Sequence, residues 1–281
     1  MESLKLDIEP VQFVKPGGRF SRSVKSEYSH SGAFALLKPY LEGGQKGQLR
    51  ETAVQICSML PEEGDSNQHN ALAKLLIHLS TQIPYDHPTQ LGLARVTELI
   101  GSSLRCKREE NMGQTIWTEA EYKGVPKFPL RGSERFVNFN AFCALLSASS
   151  LWRDSAKLAV WCLGTTFVGR WEPGWEGGLV PDFTIMASAQ WIFWYGQALF
   201  KRVLWHHDVL DERKFGDLRN GPLLMASWRR WMEGFEKAAE NKAHTKKCRR
   251  IAKRAAELMR SIDMTTVDTV YEGAWLLGAR R

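Results

Sequence analysis

The chain has 281 residues, 43% of them hydrophobic and 25% charged, with a formal net charge of +7. That length can bury a sizeable core as one large domain or two small ones, and the composition is ordinary for a soluble globular protein. Its five cysteines (Cys57, Cys106, Cys143, Cys162 and Cys248) are odd in number, widely spaced and without a C-x-x-C pair, which argues against a disulfide framework or a zinc module and fits a reducing, cytoplasmic setting.

Residues 1–30 are polar, carry Pro16, Gly17 and Gly18, and show no periodicity, so a flexible or extended lead is expected. Met1 to Pro10 mix charged and apolar residues and lack the apolar run of a secretory signal. A single all-helical domain is expected over 31–262. Its first helix starts near Gly32, carries Phe34, Leu37, Tyr40 and Leu41 on one stripe, and is closed by Gly43-Gly44. A second spans about Gln48 to Leu60, and a third about Gln68 to Gln82 with Leu72, Leu75, Leu76 and Leu79 on its buried face. Two prolines make 83–88 a rigid connection, and a fourth helix runs from Thr89 to about Leu104. Residues 107–130 read as a loop-rich joint.

In the second half, Glu134 to Ser149 is a core helix. Trp152 to Val168 is another, with Leu158, Trp161, Cys162 and Thr165 on one face. After a Gly/Pro/Trp loop, Asp182 is a candidate N-cap for a helix reaching about His206. The uncharged run Phe183 to Phe200 is eighteen residues long and interrupted by Thr184, Ser188, Gln190 and Gln197; it suits a buried core helix better than a membrane span. Pro222 suits the first turn of the next helix, which runs to about Glu240 and turns Trp228, Trp231 and Phe235 inward. The last runs from Thr245 to Ile262 with Ile251, Ala255, Leu258 and Ile262 inward. Residues 263–281 read as a weakly patterned tail. With no strand or hairpin signal, the expected architecture is all-α, an irregular bundle of about eight to ten helices.

The positive charge is local. From Ser227 to Ile262 there are eleven Lys and Arg against four Glu, which accounts for the entire net charge. On the last helix, Lys246, Lys247, Arg249, Arg250, Lys253 and Arg254 are the candidate nucleic-acid-binding residues. A helix that docks by one side and shows basic residues on the other would hold a tRNA or another acidic partner through salt-dependent, sequence-blind contacts. The same pattern also serves as a solvated face.

The loop 169–182 gathers Trp171, Glu172, Trp175, Glu176 and Asp182 among glycines and prolines. Aromatic faces attract cations, and carboxylates pair with a guanidinium. Glu172, Glu176 and Asp182 are therefore candidate catalytic acids or bases. Trp171 and Trp175, with Trp191 and Trp194 on the next helix, are candidate ligand-binding residues for a small cationic ligand. The same residues also suit an interhelical loop with Trp anchors. His206, His207 and Asp208, with Asp211 and Glu212, are metal-ligand types without a converging spacing. His244 and Cys248 stand four residues apart and can face one way, but nothing nearby in sequence completes a shell, so no metal site is predicted. His87, between Asp86 and Pro88, suits a turn or a proton shuttle. No G-x-S-x-G, P-loop or dinucleotide fingerprint occurs, and no cofactor is predicted.

Four runs, QIPYDHPTQ (82–90), VNFNAFCAL (137–145), ASAQWIFWYGQALF (187–200) and GPLLMASWRRWMEGFEKAA (221–239), together resemble a large fungal family of all-helical domains of unknown function. The likeness covers about residues 45–262 and implies a fungal intracellular protein associated with secondary metabolism. A fainter likeness is to the fungal arginine-containing cyclodipeptide synthases, which use aminoacyl-tRNA and carry an acidic D-D-x-x-E motif. This chain has no Asp-Asp pair. Two functions follow as expectations: an accessory protein that binds a ligand or partner, and alternatively a tRNA-dependent arginine-containing cyclodipeptide synthase.

Overall fold

A computed structural model of the protein describes residues 4–8, 28–43, 48–61, 66–103, 133–149, 155–167, 180–205 and 225–278. Among them are nine helices and no strand, the all-α architecture predicted: α1 His30–Gly43, α2 Gln48–Met59, α3 Ser66–Gln82, α4 Pro88–Ser102, α5 Glu134–Ala148, α6 Ser155–Phe167, α7 Asp182–Trp205, α8 Met225–Glu240 and α9 Lys246–Gly278. The expected joint at 107–130 lies outside the described residues. α9 departs most from expectation, continuing sixteen residues past its predicted end at Ile262 to Gly278. By contacts the chain divides into two compact units, Met1–Leu130 with Leu145–Arg153, and Arg131–Ala144 with Asp154–Arg281.

In the first unit, α1 packs on α2, α3 and α4. Ala33, Leu37 and Leu41 recur at every fourth position of α1 and are buried, and the predicted face of α3, Leu72, Leu75, Leu76 and Leu79, is fully buried. The 83–90 connection shows why its residues are chosen. Pro88 takes the first helical position of α4, where a missing N–H is harmless. The His87 ring caps that helix, its Nδ1 accepting from Thr89 N at 3.2 Å. The buried Gln90 amide donates to Ser80 O at 2.8 Å and Ile83 O at 2.7 Å, satisfying carbonyls left open at the end of α3. Within the predicted lead, Leu6 is buried. Its N–H donates to Glu42 Oε1 at 3.2 Å and its carbonyl accepts from Lys38 Nζ at 3.0 Å, while the Gln82 amide exchanges two bonds with the backbone of Asp7.

In the second unit, α7 packs on α6, α8 and α9, and α8 packs on α6 and α9. Trp191 is wholly buried on α7 and donates its indole N–H to Asn140 Oδ1 at 2.9 Å. The Asn140 amide in turn donates to Phe136 O at 2.8 Å. A buried Trp needs such an acceptor, and a buried Asn needs both its groups occupied. Trp228, Trp231 and Phe235 point inward as predicted. Phe200 meets Trp228 edge-on at 4.8 Å, and Phe167 meets Phe235 at 4.6 Å.

Two predicted faces are rotated. On α6 the most buried positions are Ala159, Cys162, Leu163 and Thr166, whereas Trp161 and Thr165 are half-buried. On α9 the inward face is Cys248, Ala252, Ala255, Ala256, Met259 and Ile262, with Ile251 and Leu258 at its edge. Of the predicted positions, Leu158, Cys162, Ala255 and Ile262 are buried, and the half-buried ones are displaced by small neighbours such as Ala159, Ala252 and Ala256 that let the helices approach. Gly234 on α8 marks one such approach, since a Cβ built there would stand 2.3 Å from the Phe167 ring. Gly234→Ala is expected to lower stability by about 1–3 kcal/mol through this overpacking. Denaturant unfolding checks it, and an unchanged midpoint would mean that the Phe167 ring steps aside without cost.

Candidate functional site

The short connection from α8 to α9 folds back on itself. Asn241 Oδ1 accepts from Ala243 N at 3.0 Å and Asn241 O accepts from His244 N at 3.1 Å. This turn sets His244 and Thr245 immediately before α9. Thr245 then caps the helix, its Oγ1 accepting from Cys248 N at 3.2 Å, the bond an N-cap hydroxyl makes to the third helical N–H.

Asp182, 62 residues earlier, closes the arrangement. Its Oδ1 lies 2.7 Å from His244 Nδ1. Its Oδ2 accepts from Thr245 N at 2.9 Å and from the Thr245 hydroxyl. Its backbone carbonyl accepts from the Cys248 thiol at 3.8 Å. Asp182 was expected to cap its own helix. Instead, the amides of Thr184 and Ile185 go to Pro181 O, and the Asp182 carboxylate serves α9. One anion thus sits at the N-termini of two helices, where the positive end of each helix dipole favours it.

Burial alone would raise the carboxyl pKa of Asp182. The bonds from the Thr245 hydroxyl and backbone outweigh it, with help from His244, and hold it below its ordinary value of 3.8. An ionised Asp182 makes His244 Nδ1 the donor of their shared bond. Cys248 goes the other way: burial first, then the adjacent Asp182 charge and bond, push its thiol up to about 12. A thiol so far from ionising is no nucleophile at neutral pH. A carboxylate with a depressed pKa and donors on both oxygens is equally ill-suited to the general-base role expected of Asp182. In the chain as it stands, the cluster is a polar joint between α7 and α9.

Of the other candidates, Trp171, Glu172, Trp175 and Glu176 lie outside the described residues, as do the histidines and acids of 206–212. Trp191 has no accessible surface to offer a ligand; it belongs to the core. Trp194 is 44% exposed on the outer side of α7. The basic residues of α9 fall into two groups. Lys246, Arg250, Lys253 and Arg254 are exposed; Lys253 lies 3.9 Å from Glu257, and Arg254 stands over the Phe193 ring at 5.2 Å. Lys247 is also exposed but tied to Glu134 at 3.1 Å, and Arg249 is half-buried with its Nε out of solvent. Sequence spacing identified His244 and Cys248 as a pair but missed Asp182 as their partner, because only the fold brings α7 to the start of α9.

The joint makes a stability prediction with a definite sign. A carboxyl whose folded pKa lies below its unfolded value contributes in full above that unfolded value, and the contribution is lost as pH falls through the folded one. Asp182→Asn, which puts an amide where two donors need an acceptor, is expected to cost about 1–3 kcal/mol near neutrality. The deficit relative to wild type should shrink at the acid end of a pH–unfolding series. A constant deficit across pH would show that the Asp182 charge contributes nothing.

A family model described as "Protein of unknown function (DUF3632)" matches residues 73–238. The match takes in Asp182 and all of α4 to α7, and ends before His244, Cys248 and α9. No curated protein and no solved structure matches the chain. Because the match covers more than half of its length, the chain belongs to the family of proteins of unknown function DUF3632.

Proposed function

We propose that the chain is an accessory, partner-binding protein that engages an RNA-like polyanion through the outer face of α9. The observation that carries this reading is the division of that helix. Cys248, Ala252, Ala255, Ala256 and Met259 are buried along one side, while Lys246, Arg250, Lys253 and Arg254 are exposed along the other. Exposed cations on a rigid rod can follow a phosphate backbone with little ordering cost, and they gain by releasing condensed counterions. The Phe193 ring under Arg254 holds that guanidinium in place without neutralising it.

The described cysteines, Cys57, Cys143, Cys162 and Cys248, stand in no disulfide, which supports a reducing cytoplasmic setting. Among the described residues no helix is long and apolar enough to cross a membrane. The sequence likeness noted above supports placing this role in fungal secondary metabolism. The synthase alternative would use the same basic face for tRNA, but its acidic motif is missing from the sequence and Asp182 is committed to the α9 joint.

The test is binding of mixed-sequence RNA to the full chain, followed by fluorescence anisotropy across salt concentrations. With four cations engaged, log K should fall against log salt with a slope of about −3. Reversing Lys246, Arg250, Lys253 and Arg254 to Glu should weaken binding by more than about tenfold and leave the helical circular dichroism unchanged. Salt-insensitive binding, or a folded variant that binds as wild type does, would sink the reading.

A further inference from the structure

We propose that Asp182, His244 and Cys248 form a binding site for a divalent transition cation of the zinc class. The donor set is one oxygen, one nitrogen and one sulfur. That mixture is favoured by zinc and its neighbours and disfavoured by magnesium and calcium, which take oxygen alone. One ligand atom from each residue lies within 4.8 Å of the other two. Around a tetrahedral zinc, with bonds of about 2.0–2.3 Å, ligand atoms stand roughly 3.3–3.8 Å apart. His244 Nδ1 and Asp182 Oδ1, now at 2.7 Å, would need to part by about 0.6 Å, and the sulfur, within 4.8 Å of the other ligand atoms, to close by about 1.5 Å at most. Both moves are small torsional adjustments of side chains, with the helices in place.

The surroundings fit the same reading. Asp182 opens α7, and His244 and Cys248 flank the first turn of α9, so each donor is carried on or beside a helix end. Thr245 donates twice to Asp182 Oδ2. It thereby fixes the carboxylate oxygen opposite Oδ1, the kind of outer bond that orients a ligating carboxylate. Charge also balances. On binding, the Cys248 thiol releases a proton to solvent, and the His244 ring changes tautomer, its proton moving from Nδ1 to Nε2, so that Nδ1 can ligate. A thiolate and a carboxylate then neutralise the two positive charges of the ion, and the neutral imidazole adds none. His244 and Cys248 are buried, whereas the Asp182 side chain is 20% exposed, which leaves a side from which an ion can enter. Three protein ligands leave the fourth tetrahedral position to water. The site stands independently of any polyanion bound by α9.

The experiment uses the full chain, stripped with a chelator and titrated with Co²⁺, which takes zinc sites and reports thiolate ligation through a charge-transfer band. One equivalent of Co²⁺ is expected to bind with that band, to raise the unfolding temperature, and to be displaced by Zn²⁺. Cys248→Ser should abolish the band, Cys57→Ser should leave it unchanged, and His244→Ala should weaken binding by roughly 100-fold or more, since loss of an outer-shell partner alone costs up to that much. X-ray absorption on zinc-loaded wild type reads the ligand set without relying on any variant to fold. One sulfur at about 2.3 Å with nitrogen and oxygen neighbours at about 2.0 Å is the expected shell. A sulfur-free or multi-sulfur shell, a cobalt band that survives Cys248→Ser, or no stoichiometric binding would overturn the proposal.

Discussion

The second unit is organised around one shared constraint: α7 and α9 both begin at the same place, and the donors at the start of α9 need an acceptor. A helix start leaves N–H groups without intrahelical partners, and two such starts together concentrate positive potential. Asp182 stands at both starts, and its carboxylate accepts from the donors at the start of α9. Its side chain takes Thr245 and His244, and its backbone carbonyl takes the Cys248 thiol. Thr245 passes the effect onward by capping α9 itself. A neutral residue at 182 could satisfy some of these donors but could not offset the two dipoles. The carboxylate therefore sets where α9 starts and which way its first turn faces.

From that fixed start, small residues govern how α9 lies. Ala252, Ala255 and Ala256 are buried, and on α7 the Cβ of an alanine at position 196 would stand 3.3 Å from Ile262. Small side chains let helix axes approach closely, so each contact gains dispersion from backbone as well as side chain. Larger Ile251 and Leu258 are left to the margins, where they cover the seam. The same rotation carries Lys246, Arg250, Lys253 and Arg254 into solvent and draws Arg249 partly inward. Packing on one side of α9 thus selects which basic residues remain available on the other.

Much of this was legible in sequence and some was not. Periodicity located the nine described helices, because buried stripes such as Leu72, Leu75, Leu76 and Leu79 are strong local signals. The inward aromatic face of α8 was equally plain, since Trp228, Trp231 and Phe235 leave no other apolar side. On α9, Ala255 and Ile262 face inward as expected, while Ile251 and Leu258 lie at the edge because close packing there favours Ala252 and Ala256 over bulkier side chains. The continuation of α9 past Ile262 was missed because residues 263–278 lack a clean amphipathic stripe. Asp182 resembles a cap for its own helix, as an Asp before an apolar run does, but its carboxylate pairs with His244 and Thr245 instead. The acceptor needs of α9 are invisible until the chain has folded.

Asp182 and α9 also connect the two readings of function physically. The family match ends at residue 238, so it holds the carboxylate but neither the histidine nor the thiol that meet it. The matched part builds α7 and presents an anion; the residues after it supply a turn, a cap and a long helix that dock on that anion. Any ligand of the cluster would act on the first turn of α9, which holds Lys246 and lies one turn before Arg250 and Lys253. Bracing that turn narrows the spread of positions open to those side chains, and a preorganised row of cations loses less entropy on meeting a phosphate backbone than a loose one does. The joint at Asp182 thus lies at the start of the helix whose exposed side carries Lys246, Arg250, Lys253 and Arg254.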